Sequence, residues 1–257
     1  MPTDPLAMVR CELSARGLIS LAQRRNQGTR ALDLGYTIHC WLREAWGETW
    51  PKPFAWNEEA DTIEVLGYRR SDNAGTQVHD PDGLLVRPAE SRAMPATWPD
   101  AHRLAFRLQT VASRRISKRG KSLPPPPGIE GATTAGPGDE VDAYQHHLAR
   151  SPNTAPRPDL REQVYIDWLQ ERVNGDAGCT FTDVRIEGVK RQILQRKPQR
   201  DTPGAARPPP RQVELPAVTF TGALTVTDSD AFTAFLAKGV GRHKAFGFGM
   251  MLLRPAP

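Results

Sequence analysis

Apolar positions recur along this chain with two different periods. Met8, Val9, Cys11 and Leu13 predict a short strand over residues 6–13. Over residues 34–46, Leu34, Ile38, Trp41, Leu42 and Ala45 return at the three-and-four spacing of a buried helical stripe, with Asp33 at the capping position. Pro53 to Trp56 and Thr62 to Tyr68, separated by an Asn-Glu-Glu-Ala-Asp turn, predict a hairpin. A weakly helical stretch and a fourth strand at Leu84–Arg87 would complete a ferredoxin-like βαββαβ unit. The second half repeats the order. Arg103–Gln109 alternates as a strand, and Val164, Tyr165, Trp168, Leu169 and Val173 predict a helix ending near Asn174-Gly175. Residues 181–195 and 213–226 predict the middle strands. Asp228-Ser229 and Gly239 bracket a last helix, and Phe246–Leu253 closes the sheet. The expected fold is α+β, with two tandem ferredoxin-like domains at residues 1–98 and 99–257.

Proline changes this picture in two places. Residues 122–159 carry Pro124 to Pro127 with much Gly and Thr, and residues 198–211 carry Pro208 to Pro210. Both are expected to be mobile insertions without a core. The apolar fraction of 39% still suits a globular chain of 257 residues. Cys11, Cys40 and Cys179 lack the spacing of a zinc site or disulfide framework, so no metal or other cofactor is expected, and a reduced compartment is. No signal peptide or spanning apolar run is read, so a membrane partner is not expected.

Thirty-four Lys and Arg against 29 Asp and Glu give a net charge of +5, and its distribution matters more than its size. From Ala101 to Ile129 no acidic residue occurs, while Arg103, Arg107, Arg114, Arg115, Lys118, Arg119 and Lys121 are cationic. Without carboxylates alongside, such a run repels itself unless solvated or bound to phosphates. Arg185, Lys190, Arg191, Arg196, Lys197 and Arg200 form a second set broken by Glu187. Two solvated loops would look the same, but together the sets favour an RNA backbone.

On the 34–46 helix, Tyr36, His39 and Arg43 fall within roughly 60° of one another, opposite the apolar stripe. An imidazole there can move a proton for a ribose 2′-hydroxyl attacking its own phosphate, and a guanidinium can stabilise the growing charge. Alone, such a histidine is more often a solvated residue. His243, His146 and His147 are read as surface residues. The tail around Gly239, Gly241, Arg242, Lys244, Gly247 and Gly249 is either a plain tight turn or one whose amides and cations approach a phosphate. It has no helix following it, as a dinucleotide loop needs, and no room for an internal RNA-recognition strand.

That tail, GVGRHKAFGFGMMLLRP, resembles the glycine-rich C-terminal signature of CasE, the CRISPR repeat endoribonuclease of type I-E Cascade. Tyr36-Thr37-Ile38-His39 is similar to the family's Y-x-x-H on the first helix. Leu104–Leu108, Arg161–Val173 and Val218–Val226 with Thr227-Asp228 resemble later family segments. The resemblance implies cleavage at the 3′ base of a repeat hairpin without metal, giving 2′,3′-cyclic phosphate and 5′-hydroxyl ends. It also implies a cytoplasmic protein that keeps the processed guide RNA and sits among other Cascade subunits. His39 takes the proton-transfer role, Tyr36 is its neighbour at the cleaved phosphate, and Lys244 matches the lysine of the loop. Arg43 as helper is inferred from the helix face, since Glu44 stands where a further basic or polar group would be expected. A non-catalytic RNA-hairpin scaffold and a protein-interaction domain are the other readings.

Overall fold

The computed structural model describes residues 5–25, 33–70, 78–173, 175–196 and 211–256. In chain order the elements are β1 (Leu6–Ser14), α1 (Ala15–Arg25), α2 (Leu34–Trp46), β2 (Phe54–Glu59), β3 (Thr62–Arg70) and β4 (Glu90–Ala93). There follow β5 (Arg103–Val111), β6 (Ser113–Arg115), β7 (Glu140–Asp142), α3 (Ala143–Arg150) and α4 (Pro158–Val173). The last are β8 (Cys179–Arg196), β9 (Arg211–Val226), α5 (Ser229–Lys238) and β10 (Met251–Pro255). Two four-stranded antiparallel sheets result, ordered β2-β3-β1-β4 and β10-β5-β9-β8. In each, the first strand of the unit lies between the third and the last. The fold is a pair of ferredoxin-like domains.

Each sheet buries one face under its helices. Val9, Cys11, Leu13, Ile63 and Val65 meet Leu18, Ile38, Trp41 and Leu42 in the first half. Leu108, Val218 and Phe220 meet Tyr165, Trp168, Leu169 and Phe232 in the second. The halves are fastened together by both apolar and polar contacts. Leu6 and Tyr68 pack into the second core, and the Tyr68 hydroxyl donates to the Met251 carbonyl at 2.7 Å. The Trp98 amide donates to the Ser229 hydroxyl at 2.9 Å, and its indole N–H to Thr233 Oγ1 at 3.1 Å.

Four expectations need correction. Helix α1 was not foreseen, although Leu18, Leu21 and Ala22 are its buried stripe. The fourth strand is Glu90–Ala93; at the expected Leu84–Arg87 only a single bridge forms, Leu85 pairing with Leu13 of β1, while the Asp80 carboxylate accepts from the amides of Leu84 (3.0 Å) and Leu85 (2.9 Å). No helix precedes it among the described residues 78–89. The closing strand starts at Met251, since a 3-10 turn at Lys244–Phe246 and the positive φ of Gly247 and Gly249 break extension before it.

The fourth correction concerns residues 122–159, which are not a coreless loop. They contain β7, paired with β6, and α3, whose Ala143, Tyr144 and Leu148 enter the second core. Asp142 caps α3 by accepting from the Tyr144 amide at 2.8 Å. The other expected insertion, 198–211, lies outside the described residues except for Arg211. Among the described residues, no helix is long and apolar enough to cross a membrane.

Tyr68→Phe keeps the ring but leaves the buried Met251 carbonyl without its donor. We expect a loss of about 1–3 kcal/mol in denaturant-induced unfolding, with Tyr36 and His39 chemistry untouched.

Candidate active site

Helix α2 carries the site because its two faces do different work. Asp33, extended at φ −102°, ψ 90°, accepts from the Tyr36 amide at 2.9 Å, and Thr37 Oγ1 donates to its carbonyl. This cap fixes the first turn, where Tyr36 stands. Ile38, Trp41, Leu42 and Ala45 face the core, and Trp41 Nε1 donates to Asp80 at 3.2 Å. Rotation about the helix then sends Tyr36, His39 and Arg43 the other way.

That second face is not simply solvated. Only Arg43 is exposed; Tyr36 and His39 are half-buried. The glycine-rich segment after α5 covers Tyr36, whose ring lies 5.9 Å from that of Phe246. Trp50 meets His39 edge-on at 4.7 Å, and the Tyr36 and His39 rings are 6.0 Å apart. A Cβ at Gly35 would stand 2.4 Å from the Phe246 carbonyl oxygen, so the loop backbone rests directly on the helix. Gly239, Gly241, Gly247 and Gly249 all have positive φ, which lets the loop double back. At Gly247 a side chain would also strike the Trp56 indole at 2.4 Å.

The electrostatics of the pocket are cationic. Burial, and then Arg43 and Lys52, lower the His39 imidazole to about 4, so it is neutral at physiological pH. Its Nδ1 is buried and has no hydrogen-bond partner among the described residues. The Tyr36 phenol is raised to about 12, chiefly by burial and next by Cys40, and stays protonated. Lys244 donates to the Lys238 carbonyl at 2.7 Å, and burial, Lys52 and Lys238 lower its pKa. Lys52 lies 5.4 Å from the centre of the Trp50 ring. A neutral imidazole, a protonated phenol and several cations can together take up a proton and hold an oxyanion.

Tyr36, His39 and Arg43 therefore share one face of α2, and the turn carrying Lys244 lies against it. Gly247 packs beside that turn on Trp56, Gly239 on Pro53, Gly249 against Lys244, and Gly241 away from it on Thr110 and Trp168. The other predicted cations behave differently. Arg107 pairs with Glu187 (2.8 Å), Arg114 with both oxygens of Glu171 (2.7 and 2.5 Å), and Arg191 with Glu214 (3.4 Å). Arg103 meets Asp183 (3.4 Å), Arg115 donates to the Gly138 carbonyl (3.1 Å), and Arg242 lies 3.3 Å from Glu140. The expectation of a run without neutralising partners is thus corrected: strand pairing and helix docking bring carboxylates from distant sequence. Lys118, Arg119 and Lys121 are exposed on the turn after β6. Arg107 shares a cleft of about 390 Å³ with Gly35, Trp56, Lys190 and Phe246, beside the site.

Three further corrections concern histidines and missed residues. His243 is not on the surface: its side chain is 6% exposed and bonded to Glu140 at 2.9 Å. His146 and His147 lie on α3, not in a loop. Trp50 and Lys52 were passed over; their signal was the Trp-Pro-Lys-Pro run following the helix, which holds an aromatic and a cation close to its outer face.

A family model described as "CRISPR associated protein" matches residues 16–255. Among curated proteins, none matches the sequence. Among solved structures, the chain is similar to a CRISPR endoribonuclease Cse3 bound to a 19-nucleotide RNA, at 20% identity and TM-score 0.58, covering 98% of this chain and 100% of that one. Thermus thermophilus Cse3 bound to an RNA representing a pre-cleavage complex is 17% identical, with TM-score 0.53 and coverage of 98% and 100%. A chain of a CRISPR RNA-guided surveillance complex is 15% identical, with TM-score 0.52 and coverage of 97% and 100%. At these identities the structural likeness establishes the fold.

Titration followed by NMR should find the His39 imidazole protonating near pH 4 in the free protein. Lys52→Gln should raise that midpoint, because removing a neighbouring cation favours the charged ring.

Proposed function

Because the chain belongs to the CRISPR-associated protein family and its glycine-rich tail resembles that of CasE, we propose that it is a cytoplasmic endoribonuclease that cuts CRISPR repeat RNA without metal. The observation that carries this reading is the meeting, on the outer face of α2, of Tyr36 and His39 with the Lys244–Phe246 turn of the glycine-rich loop, among the cations Arg43 and Lys52. In the proposed step, neutral His39 accepts the proton of a ribose 2′-hydroxyl as O2′ attacks the adjacent phosphorus. The P–O5′ bond breaks, leaving a 2′,3′-cyclic phosphate, and the departing oxygen takes a proton to become a 5′-hydroxyl. Tyr36 hydrogen-bonds the phosphate, while Lys244 and Arg43 offset its growing negative charge.

On this reading residues 1–98 carry the catalytic helix and residues 99–257 hold most of the hairpin. Exposed Lys118, Arg119 and Lys121 meet RNA phosphates directly. Arg107, Arg114, Arg115, Arg191 and Arg242 exchange their present partners for the strand. A-form RNA hides its base edges in a deep groove, so recognition of the stem is mainly by shape. The similarity to an RNA-bound endoribonuclease and to a surveillance-complex chain supports retention of the cut guide RNA and assembly with other Cascade subunits.

His39→Ala should slow single-turnover cleavage of the cognate hairpin about 10²–10⁴-fold while hairpin binding survives. Cutting should persist in EDTA and stop when the sugar before the cut lacks its 2′-hydroxyl. A requirement for added Mg²⁺, or an uncut hairpin with the unaltered protein, would sink the proposal. Separately, replacing Lys118, Arg119 and Lys121 by Ala should flatten the salt dependence of binding, by about 1 in log–log slope for each phosphate that is no longer neutralised.

A further inference from the structure

The segment spanning residues 122–159 reaches the site through one buried carboxylate. Glu140, on β7, has a side chain only 1% exposed. Three groups address the same oxygen of it. The Ser113 hydroxyl donates to it, His243 Nε2 lies at 2.9 Å, and Arg242 Nε lies at 3.3 Å without an aligned hydrogen bond. Burial pushes this carboxyl up, but the hydrogen bonds from His243 and Ser113 and the charges of His243 and Arg242 outweigh it and hold the group at about 2. An ionised carboxylate is thus fixed in the interior by donors from β6 and from the glycine-rich loop.

The set is not a nucleophilic triad. In a triad the imidazole lies between the hydroxyl and the acid. Here the acid lies between hydroxyl and imidazole. Ser113 is 1% exposed, so a substrate cannot reach it. What the carboxylate does instead is hold His243, which sits at φ 60° in the left-handed region. The Phe246 amide donates to the His243 carbonyl at 2.8 Å, closing the turn that carries Lys244 and presses Phe246 onto Gly35 and Tyr36. The mechanical chain runs from β7 through Glu140 and His243 to the reacting face of α2.

We propose that Glu140 is a positioning residue for RNA cleavage: braced by Ser113, it clamps the glycine-rich loop through His243 and so fixes the Lys244–Phe246 turn against Gly35 and Tyr36, on the face of α2 that carries His39. The proposal rests on the ribonuclease reading above and gives the segment around residues 122–159 a role in the reaction. It requires that loss of the clamp lower the rate of the bound complex rather than its affinity, since a misplacement of about 1 Å can cost on the order of a hundredfold.

The test compares Glu140→Ala, His243→Leu, His243→Gln and the Glu140→Ala/His243→Leu double variant in the full chain. Single-turnover cleavage at saturating hairpin should fall about tenfold to a hundredfold in Glu140→Ala and His243→Leu, with the dissociation constant unchanged. His243→Gln keeps a donor for the carboxylate and should retain most of the rate. The double variant should be no slower than the worse single one, because both break one contact. In the RNA-free protein, amide hydrogen exchange at Phe246 and Gly249 should quicken in Glu140→Ala. Unchanged rates, a loss carried wholly by affinity, or multiplying single effects would overturn the clamp. Should Glu140→Ala not fold, the His243 pair decides by the same criteria. A native protein that leaves the hairpin whole overturns the ribonuclease reading instead, and the exchange measurement then judges the clamp by itself.

Discussion

The arrangement of the site depends on one contact between backbones. The Phe246 carbonyl lies where a Cβ on residue 35 would be, so helix and loop approach only because residue 35 is glycine. This closeness brings the Phe246 ring over Tyr36 and sets Lys244 in the same cationic surroundings as His39. Packing that includes Trp50 and Tyr36 removes water from the imidazole, and the nearby cations Arg43 and Lys52 then act on it through a poorer dielectric. The neutral ring is thus a product of packing before it is a product of charge.

Much of this was legible in the residues. The stripe of Ile38, Trp41, Leu42 and Ala45 gave α2 with both its ends, and Asp33 caps it as its position suggested. Asp228 and Gly239 delimited α5 for the same reason: short side chains and glycine solve specific backbone problems at helix ends. The strand misplaced at Leu84–Arg87 shows where such reading fails. Its residues are a short apolar run that suits a strand, yet Asp80 takes the amides of Leu84 and Leu85 and only the bridge of Leu85 to Leu13 forms; a side-chain acceptor four or five residues away leaves no periodic trace. Segment 122–159 misled through its composition. Its prolines lie on both sides of a helix whose Tyr144 and Leu148 are core residues, so a proline count described the two ends of the segment and not its middle.

The site divided along the same line. Groups on a single helix face could be read by rotation, whereas the partners of the arginines could not. Glu187, Glu214 and Glu171 reach Arg107, Arg191 and Arg114 only because strands pair and helices dock. These are exposed ion pairs of small individual worth, and they exchange readily for other anions. Their effect is to keep a strongly basic surface from repelling itself while it is empty. His243 was misjudged for a related reason: its partner, Glu140, lies a hundred and three residues away in the chain.

The Gly35–Phe246 contact joins positions separated by 246 − 35 = 211 residues. Each sheet can form from pairings within its own half, but this contact closes only after both halves exist and lie side by side. Loop-closure entropy makes such distant meetings among the last events of folding. The chain therefore completes its sheets before this contact, and an intermediate with two finished sheets still lacks the loop-on-helix arrangement of the candidate site.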